Sequence, residues 1–125
     1  MQTKTLLIIL FIFLVGFLAY SFNLTNELFW DDDQWIIDNN YVHDFSHLKQ
    51  IFTENILAGF GLNSNYYRPL LLLSFALNYV LDGIGPIGYH LLSNLFHILN
   101  AVLLFFIFHK FLKTKTAPLL ISLFF

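Results

Sequence analysis

The segment Tyr89 to Leu112, YHLLSNLFHILNAVLLFFIFHKFL, runs for 24 residues with a single lysine near its far end. Coiled as a helix it is about 36 Å long, enough to cross the hydrocarbon of a bilayer with allowance for tilt. A second such run, Leu6 to Phe22, has 17 residues and no charge, or about 26 Å as a helix. Backbone amides find no partners in hydrocarbon, so two such runs restrict the chain to helices there. Composition agrees: 58% of the 125 residues are apolar and 11% charged, against about a quarter charged in water-soluble domains. The expectation is an all-α, polytopic membrane protein fragment. For the first run a cleaved signal peptide is the alternative, since Lys4 supplies a positive flank and Ala19-Tyr20-Ser21 offers small residues. The span that remains downstream favours an uncleaved anchor.

Charge then sets the topology. Two crossings, at 6–22 and 89–112, put Lys4, Lys110, Lys113 and Lys115 on one side, which the positive-inside rule makes the cytoplasm, with Met1 there as well. Residues 23–88 become an extracytoplasmic loop that holds all eight acids against Lys49 and Arg68, a net charge of −6. Within it Pro69 to Leu81 is only 13 residues long, too short to cross, so the run 69–82 is expected to be an interfacial helix. Its Ser74, Asn78 and Asp82 recur every four residues, a polar stripe suited to a helix at the membrane surface. The spacing of apolar residues over His47 to Leu57 predicts a short helix. Pro118 opens an apolar run that reaches Phe125, the expected start of a third span. On that reading the 125 residues are the N-terminal fragment of one multi-pass membrane domain. A net charge of −2 offers no basic surface for nucleic acid, and the absence of cysteine excludes disulfides and thiolate chemistry. Asn23-Leu24-Thr25 is a formal glycosylation sequon.

Three groups of residues could carry chemistry. Trp30-Asp31-Asp32-Asp33 follows the first span closely. Three adjacent carboxylates near a low-dielectric surface repel one another and ask for a cation or donors, although an acidic turn or helix cap also uses Asp. Tyr66-Tyr67-Arg68-Pro69 places an arginine at the edge of the interfacial helix, able to grip a phosphate bidentately or to meet lipid headgroups or a loop acid. In the second span His90, Ser93, Asn94, His97 and Asn100 lie within about 120° of one another on a helical wheel. Polar groups at that depth face a bundle interior or a wet cavity, and for the asparagines helix-to-helix hydrogen bonding is the plainer account. The histidines lack the spacing of a metal-ligand motif.

Taken in order, Phe29-Trp30-Asp31-Asp32, Ile36, Asn39, Val42, Leu48, Ile51-Phe52, Tyr67-Arg68-Pro69-Leu70, Asn78-Tyr79, Gly85-Pro86, Tyr89-His90, Asn94, His97 and Asn100 resemble the N-terminal membrane part of bacterial relatives of the transmembrane, tetratricopeptide-repeat-bearing protein O-mannosyltransferases. The resemblance implies a class C glycosyltransferase fold, a polyprenyl-phosphate-linked sugar donor, a protein or glycan acceptor, and an active site outside the cytoplasm. It places the acidic pair on Asp31 and Asp32, with Asp33 as an extra acid. Either carboxylate would then be the base that takes the acceptor proton, or the pair would ligate magnesium or manganese. Arg68 and His90 would hold the donor phosphate, supported by Asp33, Tyr67, Asn94 and His97. The other classes compatible with the residues are a non-catalytic anchor or assembly subunit with an acidic partner-binding loop, and a transporter fragment.

Overall fold

A computed structural model describes residues 2–125; Met1, expected on the cytoplasmic side, lies outside the described residues. The regular elements are helices: α1 (Gln2–Tyr20), α2 (Leu48–Thr53), α3 (Pro69–Asp82), α4 (Pro86–Leu112) and α5 (Thr116–Phe124), joined by short helical turns, with no strand among the described residues. The all-α architecture therefore holds. Two helices, the stretch Thr3–Asn23 and Pro86–Leu112, are long and apolar enough to cross a membrane. Both extend beyond the apolar runs seen in sequence. α1 takes in the polar Gln2 to Thr5, and α4 starts at Pro86, whose missing N–H costs nothing at a first helical position.

The chain divides into two compact units. The span unit comprises the residues up to Leu24 together with His90–Phe125. Its core is thin: Ile12, Ala101 and Phe105 are buried, with Ile8, Val102, Leu119 and Leu123 against them. Leu6, Leu10, Leu14 and Leu18 of α1 remain exposed, as lipid, unlike water, gives them no reason to hide. Close approach is what joins α1 to α4. A Cβ on Gly16 would come within 2.6 Å of the Ile98 side chain, so only the smallest residue allows this packing. These largely uncovered apolar helices are those of a membrane protein.

The acidic unit, Thr25–Tyr89, is built differently. Ile36, Val42, Ile51, Ile56, Leu72, Phe75, Ala76 and Tyr89 form a closed core, and each large aliphatic group fully removed from water contributes about 1.5–3 kcal/mol. Asn39, wholly buried, ties the turns around that core. Its Nδ2 donates to the carbonyls of Ile56 (2.9 Å) and Gln34 (3.3 Å), and its Oδ1 accepts from the Tyr41 N–H (3.1 Å). The helix expected over 47–57 is shorter. α2 stops at Thr53, and the Asn55 carboxamide accepts from Leu57 N–H to form a turn instead.

In the polar stripe on α3, Asn78 is buried and its Nδ2 has no partner among the described residues, Ser74 is half-buried and Asp82 is exposed. Leu70, Leu77, Val80 and Leu81 of the same helix are exposed, while Leu72, Phe75 and Ala76 enter the unit's core. Beyond α3, Gly83 adopts φ 63° and offers its carbonyl to the Tyr89 hydroxyl at 2.9 Å.

Candidate functional site

The acidic turn begins with a backbone held in an uncommon conformation. Trp30 sits at φ 61°, in the left-handed region, with its indole 85% exposed. A bulky residue there costs of order 1–3 kcal/mol, which the surrounding structure must supply. The N–H groups of Asp32 and Asp33 bond back to the carbonyls of Phe29 and Trp30, both at 3.3 Å. Asp32 closes the turn from the other side, its Oδ2 accepting the Phe29 N–H at 3.1 Å. This is the turn-and-cap use of aspartate that the sequence left open. Asp31 and Asp33 are exposed. From Asp33 the chain winds into a wide helical turn, Asp33–Ile37, which carries Trp35.

Trp35 links the turn to the arginine. The Arg68 guanidinium lies 5.7 Å from the Trp35 ring centroid and 5.3 Å from that of Tyr66, within the range in which a cation is drawn to a ring face. Rings were not among the partners weighed for it from sequence, which were a phosphate, lipid headgroups and a loop acid. Pro69 opens α3 directly after it, and the Tyr67 hydroxyl donates to the Phe52 carbonyl at 2.7 Å. Arg68 is itself exposed. The acidic unit thus contains Asp31, Asp32, Asp33, Tyr67 and Arg68, and the contact it shows among these segments is that of Arg68 with Trp35, two residues after Asp33 and a residue for which the sequence carried no signal.

In the span unit the five polar residues of α4 do not act as one face. Asn94 is buried: its Nδ2 donates to the Tyr20 carbonyl (3.2 Å) and the Asn23 Oδ1 (3.0 Å). Asn94 therefore locks α4 to the end of α1, and the sequon residue Asn23 is its partner. His97 Nε2 is 3.2 Å from the Tyr20 hydroxyl, and its ring stacks on Phe125 at 4.9 Å. These two line a cavity of about 100 Å³ with Ser122 and Gly16. His90 is half-buried, whereas Ser93 and Asn100 are exposed. Among the described residues no three His, Asp or Glu side chains gather closely enough to hold a metal ion. Of the pair expected to ligate magnesium or manganese, Asp31 is exposed and Asp32 accepts the Phe29 N–H.

Together these features define an all-helical membrane protein with an acidic, arginine-bearing unit set between its apolar helices in sequence. Over 79% of its length the chain is 35% identical to Protein O-mannosyl-transferase TMTC3 of Homo sapiens, of which it covers 12%. It is 28% identical to Protein O-mannosyl-transferase Tmtc1 of Drosophila melanogaster over 84% of the chain and 13% of that protein. Protein O-mannosyl-transferase TMTC4 of Mus musculus is 28% identical over 75% of the chain and 13% of its own length. The chain is thus a partial homologue of protein O-mannosyl-transferases, spanning about an eighth of the relatives it matches. No family model matches it, and no solved structure does.

Proposed function

We propose that this chain is the N-terminal part of the membrane domain of a class C glycosyltransferase that moves a sugar from a polyprenyl phosphate to a protein or glycan acceptor outside the cytoplasm. The observation that carries this reading is the presence in one compact unit of the acidic turn, Asp31 and Asp32, and of Arg68, held against the Trp35 ring, in a chain similar to protein O-mannosyl-transferases. The lysines lie on the cytoplasmic side and the acidic unit outside, with α5 opening a third span.

Transfer requires an acceptor hydroxyl to lose its proton as its oxygen attacks the anomeric carbon, while the bond from that carbon to the phosphate oxygen breaks. Asp31, with its carboxylate open, takes the proton. Asp32, engaged with the Phe29 N–H, holds the turn that presents it. Arg68 stabilises the departing polyprenyl phosphate, for which a guanidinium fork suits two oxygens at once. Asp33 and Tyr67, of the same unit, are assigned supporting roles.

The test is transfer activity of the full-length parent. Asp31→Asn keeps shape and removes the proton acceptor, so turnover should fall roughly 10²-fold or more with donor binding little changed. Asp32→Asn should fall less. Arg68→Lys should weaken donor capture more than turnover. Full activity in both aspartate variants, in a correctly inserted protein, would refute a catalytic role and favour an acidic loop that binds a partner.

A further inference from the structure

The span unit carries a second concave site, at the end where α4 stops, that the glycosyl-transfer reading does not use. Lys113 ends that helix at φ 54°, its N–H bonded to the His109 carbonyl at 3.0 Å. The His109 ring nitrogen Nδ1 donates to the Thr114 carbonyl, and the Lys115 Nζ donates to Thr5 Oγ1 at 2.9 Å. The turn so braced borders a cavity of about 600 Å³ whose floor is Leu6 and Ile9 and whose rim carries Thr5, His109, Lys113 and Lys115.

The charges on that rim are those of Lys113 and Lys115, and no acid lines it among the described residues. All eight acids of the chain lie between residues 27 and 82. Thr5 sits in the opening turn of α1, and Lys115 immediately precedes α5. The two helix starts bring positive dipole ends and the end of α4 a negative one, so the lysines decide the sign of the site. The site favours a phosphate. Its aliphatic floor, on a helix apolar enough to cross a membrane, separates a phosphate that carries acyl chains from one that does not. We propose that this cavity binds the phosphate headgroup of an anionic phospholipid, a basic pocket between membrane helices.

The experiment is native mass spectrometry of the full-length parent in neutral detergent, titrated with phosphatidylglycerol, with phosphatidylcholine, or with inorganic phosphate. Phosphatidylglycerol should bind in preference to phosphatidylcholine. Lys115→Gln should weaken it about fivefold, the contribution of one lysine at an anionic surface. Lys113→Gly is the variant that guards against misfolding: glycine suits the left-handed backbone at that position, so thermal stability should hold while lipid binding falls about fivefold. Lys110→Gln removes the same charge from a residue that does not line the cavity and should leave binding unchanged. Equal binding of the two lipids, or an equal loss in Lys110→Gln, would overturn the site. Displacement of the lipid by inorganic phosphate at matched concentration would assign the cavity to free phosphate and overturn the lipid reading.

Discussion

The acidic unit closes around a fully buried asparagine, the span unit around a glycine, and the two residues mark two ways of holding helices together. In the acidic unit eight apolar side chains are withdrawn from solvent and Asn39 satisfies three backbone groups at their edge. In the span unit only Ile12, Ala101 and Phe105 form a core, and the α1 to α4 contact rests on Gly16 and on the Asn23–Asn94 amide pair. The first arrangement draws on the hydrophobic effect and needs water around it. The second draws on close packing and interhelical hydrogen bonds, which is what remains when the surroundings are as apolar as leucine. The same chain therefore depends on two solvents, and substitutions should separate them.

The largest effect is expected at Asn39. Asn39→Ala leaves the Ile56 and Gln34 carbonyls and the Tyr41 N–H without their partner, and at about 1–3 kcal/mol for each buried group left unpaired the loss should reach about 3 kcal/mol. Gly59→Ala should cost nearly as much, because its Cβ would fall on the Asn39 carboxamide and crowd the Tyr41 ring. Both tryptophans of the chain, Trp30 and Trp35, lie in the acidic unit, so tryptophan fluorescence during thermal unfolding reads that unit selectively. A midpoint unchanged by Asn39→Ala would break the comparison at its root.

That residue also shows where sequence reading stops. Asn39 was visible only as one of the residues that carry the resemblance; nothing in one sequence says that its carboxamide will meet the backbone of residues 34, 41 and 56. Helices α1, α3 and α4 were legible because length and hydropathy act locally, and Pro69 at the start of α3 because proline's missing N–H is harmless there. The polar column of α3 was legible as a pattern but not the burial of Asn78 alone within it, since periodicity gives a face and not what covers it. At the candidate site the acids and Arg68 stood out by residue type. The contact of Arg68 with Trp35 did not, for a ring contact between distant positions leaves no spacing signal.

The span unit should respond to volume more than to polarity. Gly16→Leu forces a side chain into the space where a Cβ alone would already be 2.6 Å from Ile98, so the cost should be about 1–3 kcal/mol, as for overpacking elsewhere. Asn94→Leu removes the amide pair with Asn23 and should cost less, about 0.6 kcal/mol and at most about 1.7, the range of polar contacts between membrane helices. Hydrogen exchange of the α1 amides in detergent reads both, and neither should alter the tryptophan signal. A larger loss from Asn94→Leu than from Gly16→Leu would mean that hydrogen bonding, not close packing, joins these helices.

The smallest effects are expected from pH, and they belong to the acidic unit. Asp44 is held below its ordinary carboxylate range, first by the Ser46 hydroxyl and then by the Ser46 N–H, which donates to Oδ1 at 2.7 Å. A depressed value means that its stabilising contribution is present above the unfolded value of about 3.9 and is lost as pH falls below it. Tyr41 moves the other way. Its hydroxyl donates to Glu54 Oε2 at 2.8 Å, and that bond, then burial and then the Glu54 charge raise its ionisation above the usual 10.0. Its contribution is therefore intact at neutral pH and lost as pH rises through the raised value. The fluorescence midpoint should decline below about pH 4 and again above about pH 10. Asp44→Asn keeps a capping acceptor and should flatten the acid limb. Tyr41→Phe should flatten the alkaline limb and, having lost a solvent-exposed hydrogen bond of about 0.5 kcal/mol, lower the neutral midpoint by about 2–4 °C. An acid limb that survives Asp44→Asn unchanged would refute Asp44 as its origin.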